Sequence, residues 1–156
     1  MTTAAPTDED VFAAFPGVLV DRDNIAHYRG LMAGKLLINR CTACGYWVYP
    51  HRPLCPECLS WDVQPTEVSG RGKVFLSTLI HQEREPGGRL REPIVAAAVE
   101  LVEQSGLRYL ARIVNCPGSA VTPDMPVRLT WMEREGQVSM PAFEPAASRP
   151  SESRKD

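Results

Sequence analysis

Two Cys-x-x-Cys pairs, Cys41-Thr-Ala-Cys44 and Cys55-Pro-Glu-Cys58, stand ten residues apart in this chain. Each spacing lets one tight turn aim two thiolates at a single ion, and two such turns complete a tetrahedral four-cysteine site. Gly45 supplies the permissive backbone that the first turn needs, and Pro56 stiffens the second. Four thiolates fill the coordination sphere of zinc and leave no position for water or substrate. Cys41, Cys44, Cys55 and Cys58 are therefore predicted to hold a structural zinc ion rather than a Lewis acid. A redox reading would want one Cys-x-x-Cys opening a helix after a strand, whereas here two pairs sit in a proline-rich setting.

Metal binding requires that these thiols stay reduced, so the compartment matters. Met1 to Asp10 is acidic and lacks the basic start and apolar run of a signal peptide. No stretch approaches the ~20 apolar residues of a membrane span. The chain is thus expected to be cytoplasmic. The fifth cysteine, Cys116, precedes Pro117-Gly118 and reads as a half-buried free thiol, because nothing in the sequence marks a base beside it.

With 156 residues the chain suits one compact unit or two small ones, and 14 prolines and 11 glycines divide it into short segments. Thr7 and Asp10 have capping-box spacing and open a short helix over Asp8 to Phe15, stopped by Pro16. A second helix starts at Asp23, carries Ile25, Tyr28, Leu31 and Met32 at helical spacing, and ends at Gly34. Its stripe must pack either on this chain or on a partner. The cysteine pairs alternate with the apolar runs Leu36 to Ile38 and Tyr46 to Tyr49, which is hairpin material around a metal. Five strands are predicted beyond Val68: Lys73 to Ile80, Ile94 to Leu101, Arg108 to Val114, Val127 to Met132 and Gln137 to Phe143. That count fits a Greek-key barrel of the OB type. The expected class is mainly β, with a disordered N-terminus and helical arm over 1–34, a four-cysteine zinc ribbon over 35–66, an OB-fold over 67–145 and a disordered tail over 146–156.

His27, His51 and His81 fall in separate segments, and no nucleophile elbow, Walker loop or dinucleotide fingerprint is present. His27 reads as solvated or facing a partner, and His51 as an ordinary loop residue. Ser69-Gly70-Arg71-Gly72-Lys73 lacks the Lys-Ser/Thr ending of a phosphate loop and precedes a strand, so it reads as a linker. Arg40, Arg52, Arg71 and Lys73 gather around the junction of ribbon and barrel and are candidate contacts for a phosphorylated ligand, although single surface charges are commonly only solvated. Binding of single-stranded nucleic acid is the alternative that a ribbon and an OB barrel raise. It wants a basic groove with aromatic platforms. The barrel segment Glu67 to Pro145 carries nine basic and ten acidic residues, with Phe75, Tyr109, Trp131 and Phe143 as its aromatics. Neither requirement is met, and the formal charge of -2 for the whole chain gives no general pull toward phosphate or an anionic membrane.

Several segments taken in order carry a family resemblance: Arg40-Cys-Thr-Ala-Cys44-Gly45, Tyr49-Pro-His-Arg52 before Cys55-Pro-Glu-Cys58, Val68-Ser-Gly-Arg-Gly-Lys-Val74 through Ser77, Pro93 to Leu101, Met125-Pro-Val127 and Pro141 to Pro145. Over most of Asp23 to Pro145 the chain resembles the DUF35 family of acyl-CoA-associated proteins, which join a rubredoxin-like zinc ribbon to an OB-fold. It departs from the family pattern at His51, where a second proline is usual, at Ile94, where an aromatic is common, and at Asp124, where glycine often stands. The resemblance implies a non-catalytic subunit of a thiolase-like acyl-CoA enzyme, either a lipid-transfer-type thiolase or a steroid side-chain aldolase, with a MaoC-type hydratase as a further partner. It implies zinc as cofactor, acyl-CoA as a shared ligand, a hetero-oligomer, no nucleic acid and no catalytic residue in this chain. Turnover by the isolated chain would need a nucleophile and a base, of which Cys116 is the one candidate nucleophile.

Overall fold

The computed structural model describes residues 5–81 and 92–146. Two helices, α1 (Asp8–Ala14) and α2 (Ile25–Met32), precede eight strands: β1 (Leu37–Cys41), β2 (Trp47–Val48), β3 (Val63–Glu67), β4 (Arg71–Ile80), β5 (Ile94–Leu101), β6 (Arg108–Ile113), β7 (Pro126–Arg134) and β8 (Gln137–Pro145). Residues 1–4 and 147–156, which fall in the stretches that composition reads as disordered, lie outside the described residues.

The capping box forms as the sequence predicts. Thr7 accepts from the Asp10 N–H, and the Asp10 carboxylate accepts from the Thr7 N–H. α2 begins two residues later than Asp23, because Asp21 takes the N–H groups of Asp23 and Asn24 in a turn that delays the helix. Gly34 ends it at φ +69. The apolar stripe of α2 packs on this chain: Leu31 is buried, and the helix meets α1, β1 and β8.

β1 is the centre of a three-stranded antiparallel sheet of order β2-β1-β3. β3 carries no strand signature in the sequence, since Val63-Gln-Pro-Thr-Glu67 lacks apolar alternation; the strand forms because β1 offers it a full register from Leu37↔Glu67 to Cys41↔Val63.

The remaining strands close a barrel of order β4-β5-β6-β8-β7, with β7 returning to β4. All pairs are antiparallel except β6 with β8. This is the OB arrangement. β5 shows why it closes: residues 95, 97, 99 and 101 are buried while 94, 96, 98 and 100 are only partly so, the period of two expected of a half-buried strand. Val74, Val99, Leu101, Val127 and Phe143 are almost inaccessible, each such apolar side chain contributing about 1.5–3 kcal/mol. A bulge at Phe75, between the pairs Val74↔Val99 and Leu76↔Ala98, lets one strand serve both halves of the barrel.

Ribbon, arm and barrel share one apolar core that runs from Val11, Phe15 and Leu31 through Leu36, Ile38 and Trp47 to Val99 and Phe143. At the β5–β6 turn, the Gln104 side chain donates to the Trp47 carbonyl at 3.1 Å and accepts from the Trp47 N–H at 2.8 Å.

Candidate metal centre and its surroundings

The two cysteine turns have the same local architecture. In the first, the Gly45 N–H donates to the Cys41 carbonyl at 2.9 Å and the Cys41 N–H to the Tyr46 carbonyl at 2.8 Å. In the second, the Leu59 N–H donates to the Cys55 carbonyl at 3.0 Å and the Cys55 N–H to the Ser60 carbonyl at 2.9 Å. The residue after each second cysteine takes a left-handed backbone: Gly45 at φ +82 and Leu59 at φ +59. Glycine does this at little cost; leucine does not.

These turns bring all four sulfurs within 4.8 Å of one another. Cys41 Sγ lies 3.6 Å from Cys58 Sγ, and Cys44 Sγ lies 3.6 Å from Cys55 Sγ. Tetrahedral zinc–sulfur bonds of about 2.3 Å put sulfurs about 3.8 Å apart, so the four cysteines are positioned to bind a metal ion. Cys41 and Cys55 are buried, and Cys44 and Cys58 face outward. The Cys44 N–H, opposed by burial and aided by the Ala43 N–H, holds the Cys41 thiol down to about 7. The Tyr46 N–H also pulls on Cys44, yet burial and the three neighbouring cysteines push that thiol up to about 12. Four thiols this close together cannot all ionise without a cation among them.

Behind the ribbon lies a group of rings drawn from segments far apart in the sequence. His27 is buried rather than solvated or turned toward a partner. Its Nδ1 is 2.8 Å from the Leu37 carbonyl and therefore carries the proton, leaving Nε2 to accept from the Tyr109 hydroxyl at 3.5 Å. His51 follows the cis Tyr49-Pro50 bond, its ring centroid 4.8 Å from that of His27 and 5.3 Å from that of Tyr49. Both His51 nitrogens are buried with no hydrogen-bond partner among the described residues. Burial, helped by His27, pushes His51 down to about 4, and burial also lowers His27. A histidine standing where the family pattern has proline was the available signal in the sequence; its burial depends on α2, which is distant in sequence.

All four candidate cations are exposed. Arg40, on β1, donates from Nε to the Gly45 carbonyl at 3.2 Å and stands 5.4 Å from the Trp47 ring centroid. Arg52 follows His51, and its carbonyl accepts from Asn39. Arg71 opens β4 opposite Arg128. Lys73 is ion-paired with Asp124 at 2.7 Å, which raises its pKa. Asp124 itself sits at φ +61, the conformation that explains glycine as the usual residue there. Cys116 is half-buried against the core. Among the described residues no helix is long and apolar enough to cross a membrane.

Comparison with known proteins places this geometry. Residues 29–63 match the family described as the ChsH2 rubredoxin-like zinc ribbon domain, and residues 65–132 match the ChsH2 C-terminal OB-fold domain. A DUF35 domain-containing scaffold protein of Methanocaldococcus jannaschii is 30% identical over 116 residues, which are 73% of this chain and 80% of that protein. A probable enoyl-CoA hydratase alpha subunit of Thermomonospora curvata is 32% identical over 140 residues, 90% of this chain but only 43% of the relative's length. Among solved structures, a chain of the Ltp2-ChsH2(DUF35) aldolase superposes with a TM-score of 0.71 at 32% identity, covering 82% of this chain and 98% of that one.

Proposed function

This chain belongs to the DUF35 family, whose ChsH2-type members join a zinc ribbon to an OB-fold, and from that premise we propose that it is a non-catalytic accessory subunit of a thiolase-like acyl-CoA enzyme. The observation that carries the reading is the likeness to a chain of the Ltp2-ChsH2(DUF35) aldolase over 98% of that chain's length. The name scaffold protein, borne by the archaeal relative, agrees with it.

In this role the ion between Cys41, Cys44, Cys55 and Cys58 is zinc, and it is structural. Four sulfurs at this spacing complete its coordination sphere, so it fixes the turns and takes no part in the reaction. Catalytic groups belong to the partner, a lipid-transfer-type thiolase or a steroid side-chain aldolase. The cytoplasm is the setting proposed, since it keeps the thiolates reduced. Arg40, Arg52 and Arg71 are the proposed contacts for the phosphates of a shared acyl-CoA, with Lys73 the weakest of the four because Asp124 already neutralises it. A MaoC-type hydratase is a second partner, favoured by the relative named as a hydratase alpha subunit.

Co-expression of the tagged chain with thiolase-like enzymes tests the proposal. Stoichiometric co-elution is expected, with turnover by the complex and none by the isolated chain. Failure to form a complex with any such enzyme, or a salt-dependent shift of single-stranded nucleic acid by the chain, would overturn it.

A further inference from the structure

The OB barrel carries an apolar groove on its outer wall that the proposed role does not use. Register across three strands defines its floor. Leu76, Ala98 and Leu110 stand opposite one another on β4, β5 and β6, and Thr78, Ala96 and Arg112 form the next row. These are the outward positions, because Ala97, Val99, Tyr109 and Ile113 between them are buried. The central strand thus offers only methyl groups between the longer side chains of its neighbours, which makes a trough. Leu76 and Leu110 on its two sides are 63% and 73% exposed. The resulting cavity has a volume of about 470 Å³ and reaches Met132 and Met140 on β7 and β8.

Chemistry narrows the occupant. The volume lies within the ~300–1,000 Å³ of small-molecule sites, and such sites are mainly apolar with a few polar groups that orient the ligand. Here the polar groups of the floor lie in one row, Thr78 and Arg112. Arg108 and Arg128, elsewhere on the barrel, are committed to Glu100 and Glu144, whereas Arg112 has no ion pair among the described residues. Stacked bases or sugars want an open aromatic face. The nearby Phe75 ring is covered by the Arg108 guanidinium at 3.4 Å, so that face is taken. The flexible thioethers of Met132 and Met140 suit hydrocarbon of variable shape.

We infer that this groove binds the hydrocarbon part of an acyl group, laid across Ala96 and Ala98 with its oxygen-bearing end at Thr78 and Arg112. The inference rests on the acyl-CoA reading above and assigns to this chain the acyl half of the ligand, apart from the cations offered to the phosphates.

Methyl NMR of the full, zinc-loaded chain labelled at alanine, titrated with decanoate, decanol, decanoyl-CoA and CoA, tests it. Decanoate and decanoyl-CoA should shift the Ala96 and Ala98 methyls, while CoA leaves them in place. Ala98→Leu, which fills the trough from outside the core, should weaken decanoate roughly tenfold or more, the factor that a methylene or two is worth in an apolar pocket. Arg112→Gln should weaken decanoate more than decanol. Absent shifts with decanoate, or equal shifts with CoA alone, overturn the inference, as does Ala98→Leu abolishing capture of a thiolase-like enzyme by a chain that never binds decanoate. Decanoate binding without capture of any such enzyme supports the groove and fails the accessory-subunit reading; capture without decanoate binding does the reverse.

Discussion

The unequal residues at the tips of the two cysteine turns set up a direct test of what holds the ribbon together. Gly45 and Leu59 occupy matching places at φ +82 and +59, and both donate to the carbonyl of the first cysteine of their pair. A left-handed backbone costs a residue with a side chain about 1–2 kcal/mol, against the ~0.5–1 kcal/mol of chain entropy that glycine loses on folding. Leu59 is 68% exposed, so truncating it removes little burial. Leu59→Gly should therefore be more stable than Leu59→Ala by about 0.5–1 kcal/mol, opposite to the order at an ordinary helical site. At Gly45 an added Cβ would meet only the Arg40 guanidinium, at an ordinary 3.6 Å, so Gly45→Ala isolates the backbone and should cost about 1 kcal/mol. The assay is denaturant unfolding at fixed excess zinc, followed by tryptophan fluorescence, to which Trp47, 8% exposed beside the first turn, contributes with Trp61 and Trp131. Equal stability of Leu59→Gly and Leu59→Ala, together with a neutral Gly45→Ala, would refute the claim that turn geometry rather than the sulfur–metal bonds alone limits the site.

Three other outcomes follow from the same structure. Stability should fall between about pH 6.5 and pH 4, because His51, lowered by burial to about 4, binds fewer protons folded than unfolded; its contribution, full above 6.5, is lost on acidification, and His27 acts in the same direction. Allowing for partial solvent screening, His51 accounts for ~1–2 kcal/mol across that window, and His51→Phe should flatten the profile while wild type and variant release zinc over the same pH range. Gly72→Ala should destabilise by about 1–3 kcal/mol in thermal melts, since its Cβ would lie 2.7 Å from the Glu100 carbonyl oxygen and the Val99 side chain at the β4–β5 pairing. Chelation, or Cys55→Ser at the buried sulfur, should release the ion and collapse the ribbon's near-UV signal with loss of far-UV strand content, whereas an unchanged fold after metal removal would show that the site is dispensable.

What was legible in the sequence was whatever is encoded locally. The cysteine spacing states how many sulfurs one turn can aim, and the apolar run from Ile94 to Leu101 states that a strand lies there. The capping box at Thr7 is likewise a matter of three residues. What escaped depended on partners distant in the chain. β3 has no strand signature of its own and forms on the edge that β1 presents. His27 looked like a surface residue because nothing near it in sequence announces Leu37 and Tyr109, and the trough exists only when Ala96 and Ala98 are seen between the leucines of two other strands. The strained Leu59 was hidden for a different reason, since the sequence offers glycine at one turn and gives no sign that the other adopts the same backbone without it.

The Gln104 side chain has a consequence for association. β2 is an edge strand, and an edge with an exposed N–H and C=O invites another chain to add on. The outward pair on Trp47 is already taken by one carboxamide, which donates and accepts as a neighbouring strand would. The ribbon thereby closes its β2 edge against strand addition with a residue borrowed from the barrel. A protein that meets the β2 edge must therefore do so through side chains, which favours a specific partner over indiscriminate sheet growth.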